Sequence, residues 1–221
     1  MRVTLNVDLG ELPDEPEELY ALADVANVAC GGHAGDAASM RRACRLARAH
    51  GTKVFAHPSY PDREGFGRRA IAMDPGQLRA SLAEQCAALL EAAAAAGVVV
   101  EGVKPHGSLY HAVATDLEVA RVAVEGCSAI AGPWVISPGA RLAELVSTTL
   151  VEGFADRGYA DDGTLRPREA PGALLHDATS ALDQARALLR SGRFQTLCVH
   201  GDRATALPIA RAIRALLDEP L

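Results

Sequence analysis

Histidines and acidic residues recur in this chain where apolar runs of the sequence end. The segment 103–110, VKPHGSLY, shows the pattern, and six other runs end in the same way. The acids at these ends are Asp8, Glu11, Asp36, Asp156 and Asp202. The histidines, each close to glycine or proline, are His33, His57, His106 and His200. A carboxylate beside an imidazole can form a general base with its orienting partner, so the pattern predicts a catalytic site.

The same residue types are ligands for divalent metal ions, and the expected trio is Asp8, His33 and His57. The sequence contains no H-x-x-x-H or H-E-x-x-H pair that would supply two ligands from one helix. Metal ligands would therefore come from separate strands. Whether a divalent metal is bound stays open at the level of sequence.

Lys104 directly precedes Pro105 and His106 at one of these ends. Its ammonium group can neutralise a carboxylate or phosphate of a substrate, or stabilise an oxyanion as charge develops. An internal salt bridge to one of the acids is the structural alternative. The residues predicted to be catalytic are Asp8, His33, Lys104, His106 and Asp202.

Arginines near the run ends offer forked donors for an anionic substrate. Arg157 follows Asp156, and Arg63 lies in the long polar loop after His57. Arg68 and Arg69 in that loop are explained equally well by a solvated surface. The residues expected to contact the substrate are Glu11, Asp36, His57, Arg63, Tyr110, Asp156, Arg157 and His200.

Composition and missing motifs exclude several classes of function. The formal net charge of −6 argues against nucleic-acid binding, which depends on clustered Lys and Arg. No standard phosphate-binding loop and no G-x-S-x-G motif is present. Five scattered cysteines without a C-x-x-C pair indicate reduced thiols inside a cell. Neither a signal-peptide pattern nor an apolar run of about 20 residues is found, so we expect a cytoplasmic protein without membrane spans.

Helical and extended patterns alternate along the chain. Apolar residues at helical spacing mark 37–50, with Asp36 or Ser39 as candidate cap and Gly51 as terminator. Asp74 is the candidate cap of a second long helix. The predicted helices span about 14–23, 37–50, 74–96, 115–131, 141–150, 180–190 and 204–217.

Seven cycles of strand and helix indicate parallel strands joined by right-handed crossovers. We predict an α/β fold, a seven-stranded (β/α) barrel of parallel strands, as a single domain over 1–221. An open doubly wound sheet is the alternative, because periodicity does not show closure. In both folds the carboxyl ends of parallel strands share one face, so the polar run ends would meet there.

Six motifs, in order, resemble those of the LamB/YcsF family. They are DLGE at 8–11, ACGGHAGD at 29–36, AHPSYPD at 56–62 with FGRR at 66–69, KPHGSLY at 104–110, FADRGY at 154–159 and CVHGD at 198–202. The resemblance extends from about residue 3 to residue 214. The chain departs from the family pattern at Gly32, where an aromatic residue is usual, at Leu12, where Gly or Ser is usual, and in short loops after Glu11 and before Leu197.

The resemblance implies a barrel related to glycoside hydrolases and polysaccharide deacetylases. It also implies hydrolysis of 5-oxo-L-proline to L-glutamate by the A component of an ATP-dependent 5-oxoprolinase, with B and C subunits as partners. ATP would be a co-substrate handled with those partners, which agrees with the missing phosphate loop. Under this hypothesis a rim Asp or His activates water, while Lys104 and His106 stabilise the lactam oxygen or its phosphate.

Two other functions stay open. One is a metal-dependent deacetylase or amidohydrolase of carbohydrate type that works without ATP. The other is a non-catalytic component that binds a small anion and regulates its partners. The oligomeric state, a homo-oligomer included, is also open.

Overall fold

A computed structural model describes residues 2–219, which fold around a closed sheet of parallel strands. The strands are β1 (Thr4–Leu9), β2 (Val25–Ala29), β3 (Lys53–His57), β4 (Val100–Val103), β5 (Trp134–Ile136), β6 (Thr149–Phe154) and β7 (Thr196–His200). They follow sequence order, and β7 pairs with β1 to close the barrel. The predicted seven-stranded barrel is confirmed, and the open sheet is excluded.

Helices cover the outside of the barrel. They are α1 (Glu18–Leu22), α2 (Ala37–His50), α3 (Pro75–Ala96), α4 (Gly107–Thr115), α5 (Leu117–Gly126), α6 (Ala178–Arg190) and α7 (Ala206–Asp218). Each buries one apolar face, as α2 does with Met40, Ala43, Cys44 and Ala47. Within residues 2–219, no helix combines the length and the apolar composition that crossing a membrane requires.

Strand register brings the carboxyl ends of the strands to one end of the barrel. Asp8 of β1 pairs with His200 of β7, and Ala29 of β2 pairs with His57 of β3. Because all neighbouring strands are parallel, the polar segments that follow them also begin at this end. The polar segments at the strand ends therefore lie on one face of the barrel, as the sequence pattern predicts.

Several helix boundaries differ from the prediction. The segment 141–150, predicted to be helical, forms a short 3-10 turn over Arg141–Glu144 before β6 begins at Thr149. A run of Ser and β-branched residues from 146 to 149 explains the extended backbone, because such residues favour strands over helices. The helix predicted over 115–131 ends at Gly126, and α4 was not predicted.

Polar caps fix the ends of the long helices as expected. The Asp74 carboxylate accepts hydrogen bonds from the backbone N–H groups of Gly76 and Gln77, and Gly97 ends α3 in the left-handed region. At α2, Asp36 and Ser39 form a reciprocal capping box, and Gly51 ends the helix with φ of 71°.

Replacing Asp36 by alanine tests the capping role. The change leaves the N–H groups of Ala38 and Ser39 without their side-chain acceptor, so we expect a lower urea midpoint for unfolding. Asp36→Ser should retain most of the stability, because a serine hydroxyl also caps helices. Asp14→Ala, at an exposed acid outside any helix, is the matched control. Equal midpoints for Asp36→Ala and Asp14→Ala would contradict the assignment.

Candidate functional site

Polar side chains from different strand ends converge inside one end of the barrel. Asp8 lies in β1, His57 and His200 end β3 and β7, and Lys104 directly follows β4. Their exposed fractions are 2% for Asp8, 1% for His57, 2% for Lys104 and 8% for His200. Buried polar groups of this kind need partners, so their hydrogen bonds determine what the site can do.

Three imidazole rings pack together next to this group. The rings of His33 and His106 stack with their centroids 3.6 Å apart. The ring of His57 meets both edge-on, with centroids 5.4 Å from His33 and 4.8 Å from His106. All three rings are buried. They come from three different βα segments, which explains why no local spacing motif reveals them.

One nitrogen of each ring donates to an oxygen atom of the surrounding protein. Nδ1 of His57 lies 2.7 Å from the Lys104 carbonyl oxygen, and Nε2 of His106 lies 3.0 Å from that of Phe66. Carbonyl oxygens only accept, so both nitrogens carry a hydrogen. Nδ1 of His33 lies 3.1 Å from Oγ of Ser59, whose own hydrogen goes to the Tyr60 carbonyl. That nitrogen therefore also donates.

The remaining nitrogen of each ring faces another ring or a carboxylate. Nε2 of His57 lies 2.9 Å from Nδ1 of His106. Oε1 of Glu11 lies 3.0 Å from Nε2 of His33, 3.5 Å from Nδ1 of His106 and 3.9 Å from Nε2 of His57. One ligand atom from each of the four residues lies within 4.8 Å of the others. This donor set could hold a metal ion.

Burial disfavours charge on individual members of this set. It is the main reason that the pKa of Glu11 is raised well above its ordinary value, and the charge of Asp8 adds to the effect. Burial also lowers the pKa of His33 and of His106 well below the ordinary value, with neighbouring histidines adding to it. An ionised Glu11 or a protonated ring needs a compensating charge here.

Lys104 lies at the centre of a second buried group. Its Nζ atom lies 2.8 Å from Oδ1 of Asp8, 3.0 Å from Oε2 of Glu152 and 3.0 Å from Sγ of Cys198. Burial opposes the charge of Lys104, but the carboxylates of Asp8 and Glu152 outweigh it and raise its pKa well above the ordinary value. Burial also opposes ionisation of Asp8, yet the Lys104 ammonium is the main charge that holds its pKa well below the usual range. The pair is therefore an ammonium and a carboxylate.

A possible metal set of Asp8, Cys198 and His200 lies in the same place. The Lys104 ammonium within 3.0 Å of both Asp8 and Cys198 already supplies a positive charge there. Burial is the main cause that raises the pKa of the Cys198 thiol well above its ordinary value, which disfavours a thiolate ligand. This set is consequently a poor metal site.

His200 is oriented by Asp156. Its Nδ1 atom lies 3.0 Å from each carboxylate oxygen of Asp156, and its backbone N–H also donates to Oδ2. Burial opposes ionisation of Asp156, but His200 outweighs it and lowers the pKa of that carboxyl. A hydrogen of His200 is thus on Nδ1, and Nε2 lies 4.0 Å from Oδ2 of Asp8. This is the arrangement of a general base with its orienting carboxylate.

A cavity of about 610 Å³ opens onto these groups. Asp8, His57, Lys104, His106 and His200 form its floor. Its wall includes Tyr110 and four arginines, Arg68, Arg157, Arg166 and Arg168. A cavity of about 670 Å³ at the opposite end of the barrel is lined by residues at strand starts, and its flanking charges form pairs such as Lys53 with Glu101. The histidines, acids and lysine that could take part in catalysis therefore line the cavity of about 610 Å³.

The wall of the cavity contains more arginines than carboxylates that could pair with them. Asp202 pairs with both Arg68 and Arg168. Arg157 is 7% exposed and donates to the carbonyl oxygens of Ala173 and Arg166, at 3.0 and 2.9 Å. Guanidinium groups that are only partly neutralised match a carboxylate or phosphate ligand.

The structure brings most of the sequence-predicted site residues together, with corrections. Asp36, expected to contact substrate, lies outside the cavity because its carboxylate caps α2. Arg63, also expected there, donates instead to the carbonyl oxygens of Gly31 and Gly35 at 2.9 and 2.8 Å. Asp202, predicted to be catalytic, pairs with the wall arginines Arg68 and Arg168, and Tyr110 and Arg157 line the cavity.

The converging metal-ligand set also differs from the predicted trio. Glu11 and His106 join His33 and His57, and Asp8 is not in the set. Asp8 is held instead by Lys104 and by the side-chain amide of Asn27, each 2.8 Å from its Oδ1 atom.

Two functional neighbours were missed by sequence reasoning. Glu152, in the middle of β6, binds Lys104, and Asn27, in the middle of β2, binds Asp8. The available signal was a polar residue between the apolar residues of each strand, VANVA in β2 and TLVEGF in β6. The Tyr110 hydroxyl is buried without a hydrogen-bond partner among residues 2–219, and burial, with the charge of Glu152, raises its pKa well above the ordinary value.

Comparison with known proteins identifies the relatives of this chain. The sequence model of the LamB/YcsF family matches residues 3–220. A crystal structure of a lactam utilization protein from Thermus thermophilus superposes with a TM-score of 0.88, at 34% identity over 99% of this chain and 97% of that chain. A family 4 carbohydrate esterase from Streptomyces lividans, in complex with acetate, superposes with a TM-score of 0.57 at 15% identity, over 98% and 87% of the two chains. The second likeness concerns the fold alone.

Gly67→Ala tests how tightly the loop after β3 packs on the histidines. Gly67 has φ of 66°, and an added Cβ would lie 2.8 Å from Cβ of His33 and 2.9 Å from Cδ2 of His106. We expect a loss of about 2–5 kcal/mol in unfolding free energy, from left-handed strain plus overpacking. The histidine ring resonances in ¹H–¹³C NMR spectra should shift as well.

Gly139→Ala is the matched control, because Gly139 has φ of 73° with no atom within 4 Å of an added Cβ. It should lose only about 1–2 kcal/mol from strain. Equal losses in the two variants, with unchanged histidine resonances, would show that the loop does not confine the rings.

Proposed function

The chain belongs to the LamB/YcsF family, and we propose that it hydrolyses the amide bond of 5-oxo-L-proline to give L-glutamate. In this proposal it is the A component of an ATP-dependent 5-oxoprolinase and works with B and C subunits. The name of the lactam utilization protein, 34% identical to this chain, supports a lactam substrate. The observation that carries the proposal is the cavity in which Lys104 and an oriented His200 face partly neutralised arginines.

The cavity offers complementary groups for both polar ends of 5-oxoproline. The substrate carboxylate suits the wall arginines, since guanidinium forms paired hydrogen bonds with carboxylates. The lactam oxygen suits the floor, where Lys104 carries a buried positive charge. A volume of about 610 Å³ holds this small ring and leaves room for a phosphoryl group on its oxygen.

The chemical difficulty is the resonance of the amide bond. Transfer of the terminal phosphoryl group of ATP to the lactam oxygen would leave a ring carbon that water attacks more readily. Loss of phosphate and cleavage of the carbon–nitrogen bond then give glutamate. Negative charge gathers on the oxygen or its phosphate, where the Lys104 ammonium stabilises it.

His200 is the general base in this proposal. Its Nε2 lone pair takes a proton from the attacking water, and Asp156 stabilises the imidazolium that forms, because the two side chains lie 3.0 Å apart. Asp8 stays ionised beside Lys104 and keeps the ammonium in place. Nucleotide binding is assigned to the partner subunits, since this chain has no standard phosphate loop.

The direct experiment measures glutamate release from 5-oxoproline. The chain is assayed alone and with B and C subunits, each with and without ATP. We expect release only from the complete mixture with ATP. Release from an acetylated sugar by the chain alone, abolished by a chelator, would instead favour a metal-dependent deacetylase, the second candidate suggested by Glu11, His33, His57 and His106.

Replacing His200 by alanine should lower kcat for glutamate release by about 100- to 10,000-fold, the usual contribution of a general base. Asp156→Asn should lower kcat in the same range, because it removes the carboxylate that orients the ring. Assembly with the partner subunits should be unchanged by gel filtration. His50→Ala, a histidine at the opposite end of the barrel, serves as control. Wild-type kcat in His200→Ala would contradict the role of general base.

Replacing Arg168 by glutamine tests recognition of the substrate carboxylate. We expect KM for 5-oxoproline to rise about tenfold or more with a smaller change in kcat, since a hydrogen bond to a charged group contributes about 1.5–3 kcal/mol. The lactam 2-pyrrolidinone, which lacks the carboxylate, should be a poor substrate for wild type and should lose nothing further in the variant. Arg141→Gln, at an exposed arginine of the 3-10 turn, is the control. An equal loss for both lactams would argue against carboxylate recognition.

A further inference from the structure

We propose that Asp8 accepts a hydrogen bond from the ring N–H of the lactam and so selects lactams among related cyclic substrates. The inference rests on the proposed function, in which Lys104 meets the lactam oxygen and the wall arginines meet the carboxylate. Those assignments leave the N–H group, the one hydrogen-bond donor of 5-oxoproline at neutral pH, without a partner. Asp8, on the floor of the cavity, offers the acceptor that this group requires.

The two oxygen atoms of the Asp8 carboxylate differ in their contacts. Oδ1 accepts from Nζ of Lys104 and from the side-chain amide of Asn27, each at 2.8 Å. Within residues 2–219, Oδ2 receives only a weak hydrogen bond from the Cys198 thiol, whose Sγ atom is 3.9 Å away. Buried carboxylate oxygens normally have stronger donors, so Oδ2 has capacity for a further hydrogen bond.

The neighbouring histidines do not fill this capacity. Nε2 of His57 lies 3.5 Å from Oδ2, and Nε2 of His200 lies 4.0 Å from it. The hydrogen of His57 is on Nδ1, 2.7 Å from the Lys104 carbonyl oxygen. The hydrogen of His200 is on Nδ1, which faces Asp156. In neutral rings both Nε2 atoms are acceptors, so a donor group on a molecule in the cavity would complete the contacts of Oδ2.

The amide of a five-membered ring suits this arrangement because the ring forces the amide to be cis. Its oxygen and its N–H then lie on one edge, with O and N about 2.3 Å apart from standard bond lengths. Lys104 and Asp8 place a donor beside an acceptor, with 2.8 Å between Nζ and Oδ1. One edge of the lactam can therefore meet both side chains. An open-chain secondary amide is trans and turns the two groups to opposite sides.

A lactone of the same shape lacks the N–H group. Its ring oxygen would bring a lone pair against Oδ2 of Asp8, and a buried charged oxygen that faces another acceptor is destabilised. A hydrogen bond to a charged group corresponds to about 10- to 100-fold in affinity. The substrate class is therefore cyclic amides with a free N–H, as distinct from their lactone and N-methyl analogues.

Calorimetry on the full-length chain tests this preference without ATP or turnover. The ligands are 5-oxo-L-proline, its lactone analogue 5-oxotetrahydrofuran-2-carboxylate, and N-methyl-5-oxoproline. We expect wild type to bind the lactam about 10- to 100-fold more tightly than either analogue. Equal affinities for lactam and lactone, or no binding of the lactam, would overturn the inference. Glutamate release, assayed with the partner subunits as above, decides the proposed function separately, so each can fail without the other.

Variants assign the preference to Asp8. Asp8→Asn removes the ionised acceptor with little change in shape, so we expect the lactam to lose affinity and its advantage over the lactone to disappear. Glu152→Gln is the matched control, because it also removes a buried carboxylate from Lys104, but its side chain lies outside the cavity lining. It should keep the wild-type ratio of the two affinities, even if both affinities fall.

Circular dichroism checks that both variants are folded, and the wild-type comparison of lactam with lactone tests the inference even if Asp8→Asn does not fold. A wild-type ratio in Asp8→Asn, or the same loss of the ratio in Glu152→Gln, would show that Asp8 does not recognise the N–H group.

Discussion

The site depends on oxygen atoms of the scaffold that fix the direction of three imidazole rings. The carbonyls of Lys104 and Phe66 and the hydroxyl of Ser59 each accept one ring hydrogen. The opposite nitrogens must then face inward, toward each other and Glu11. A different partner for any ring would turn its lone pair away. The geometry of the cluster is therefore set by its surroundings more than by its own contacts.

Lys104 connects the histidine cluster to the charged floor of the cavity. Its carbonyl orients His57, while its ammonium lies between Asp8 and Glu152. Removing one member of a buried ion pair typically costs about 3–5 kcal/mol, because the other charge stays buried without a partner. The charged side chains inside the barrel therefore depend on one another, because each would be buried without a partner if the other were removed. The same network keeps a positive charge where a lactam oxygen or its phosphate would lie in the proposed reaction.

Much of this arrangement could be predicted from sequence, because polar groups at the ends of apolar runs meet in a parallel barrel. His57, Lys104, His106 and His200 were found in this way. Asp36 has the same sequence context as Glu11, and only the three-dimensional structure shows that it faces the N-terminus of α2.

Other features depend on the three-dimensional structure more than on any sequence motif. The carbonyl of Phe66 is a backbone group, and its role depends on the conformation of a loop. Glu152 lies within a strand, so its contact with Lys104 depends on barrel closure and register. The 3-10 turn over Arg141–Glu144 replaced a predicted helix because the β-branched residues that follow it favour β6.

The most direct measurement of the central claim is the tautomeric state of the three histidines. Long-range ¹H–¹⁵N NMR spectra of the protein labelled with ¹⁵N-histidine report which ring nitrogens carry hydrogen. At neutral pH we expect a hydrogen on Nδ1 of His33, on Nδ1 of His57 and on Nε2 of His106. A ring with its hydrogen only on the opposite nitrogen would show that the scaffold does not direct the lone pairs inward, and would contradict this account of the site.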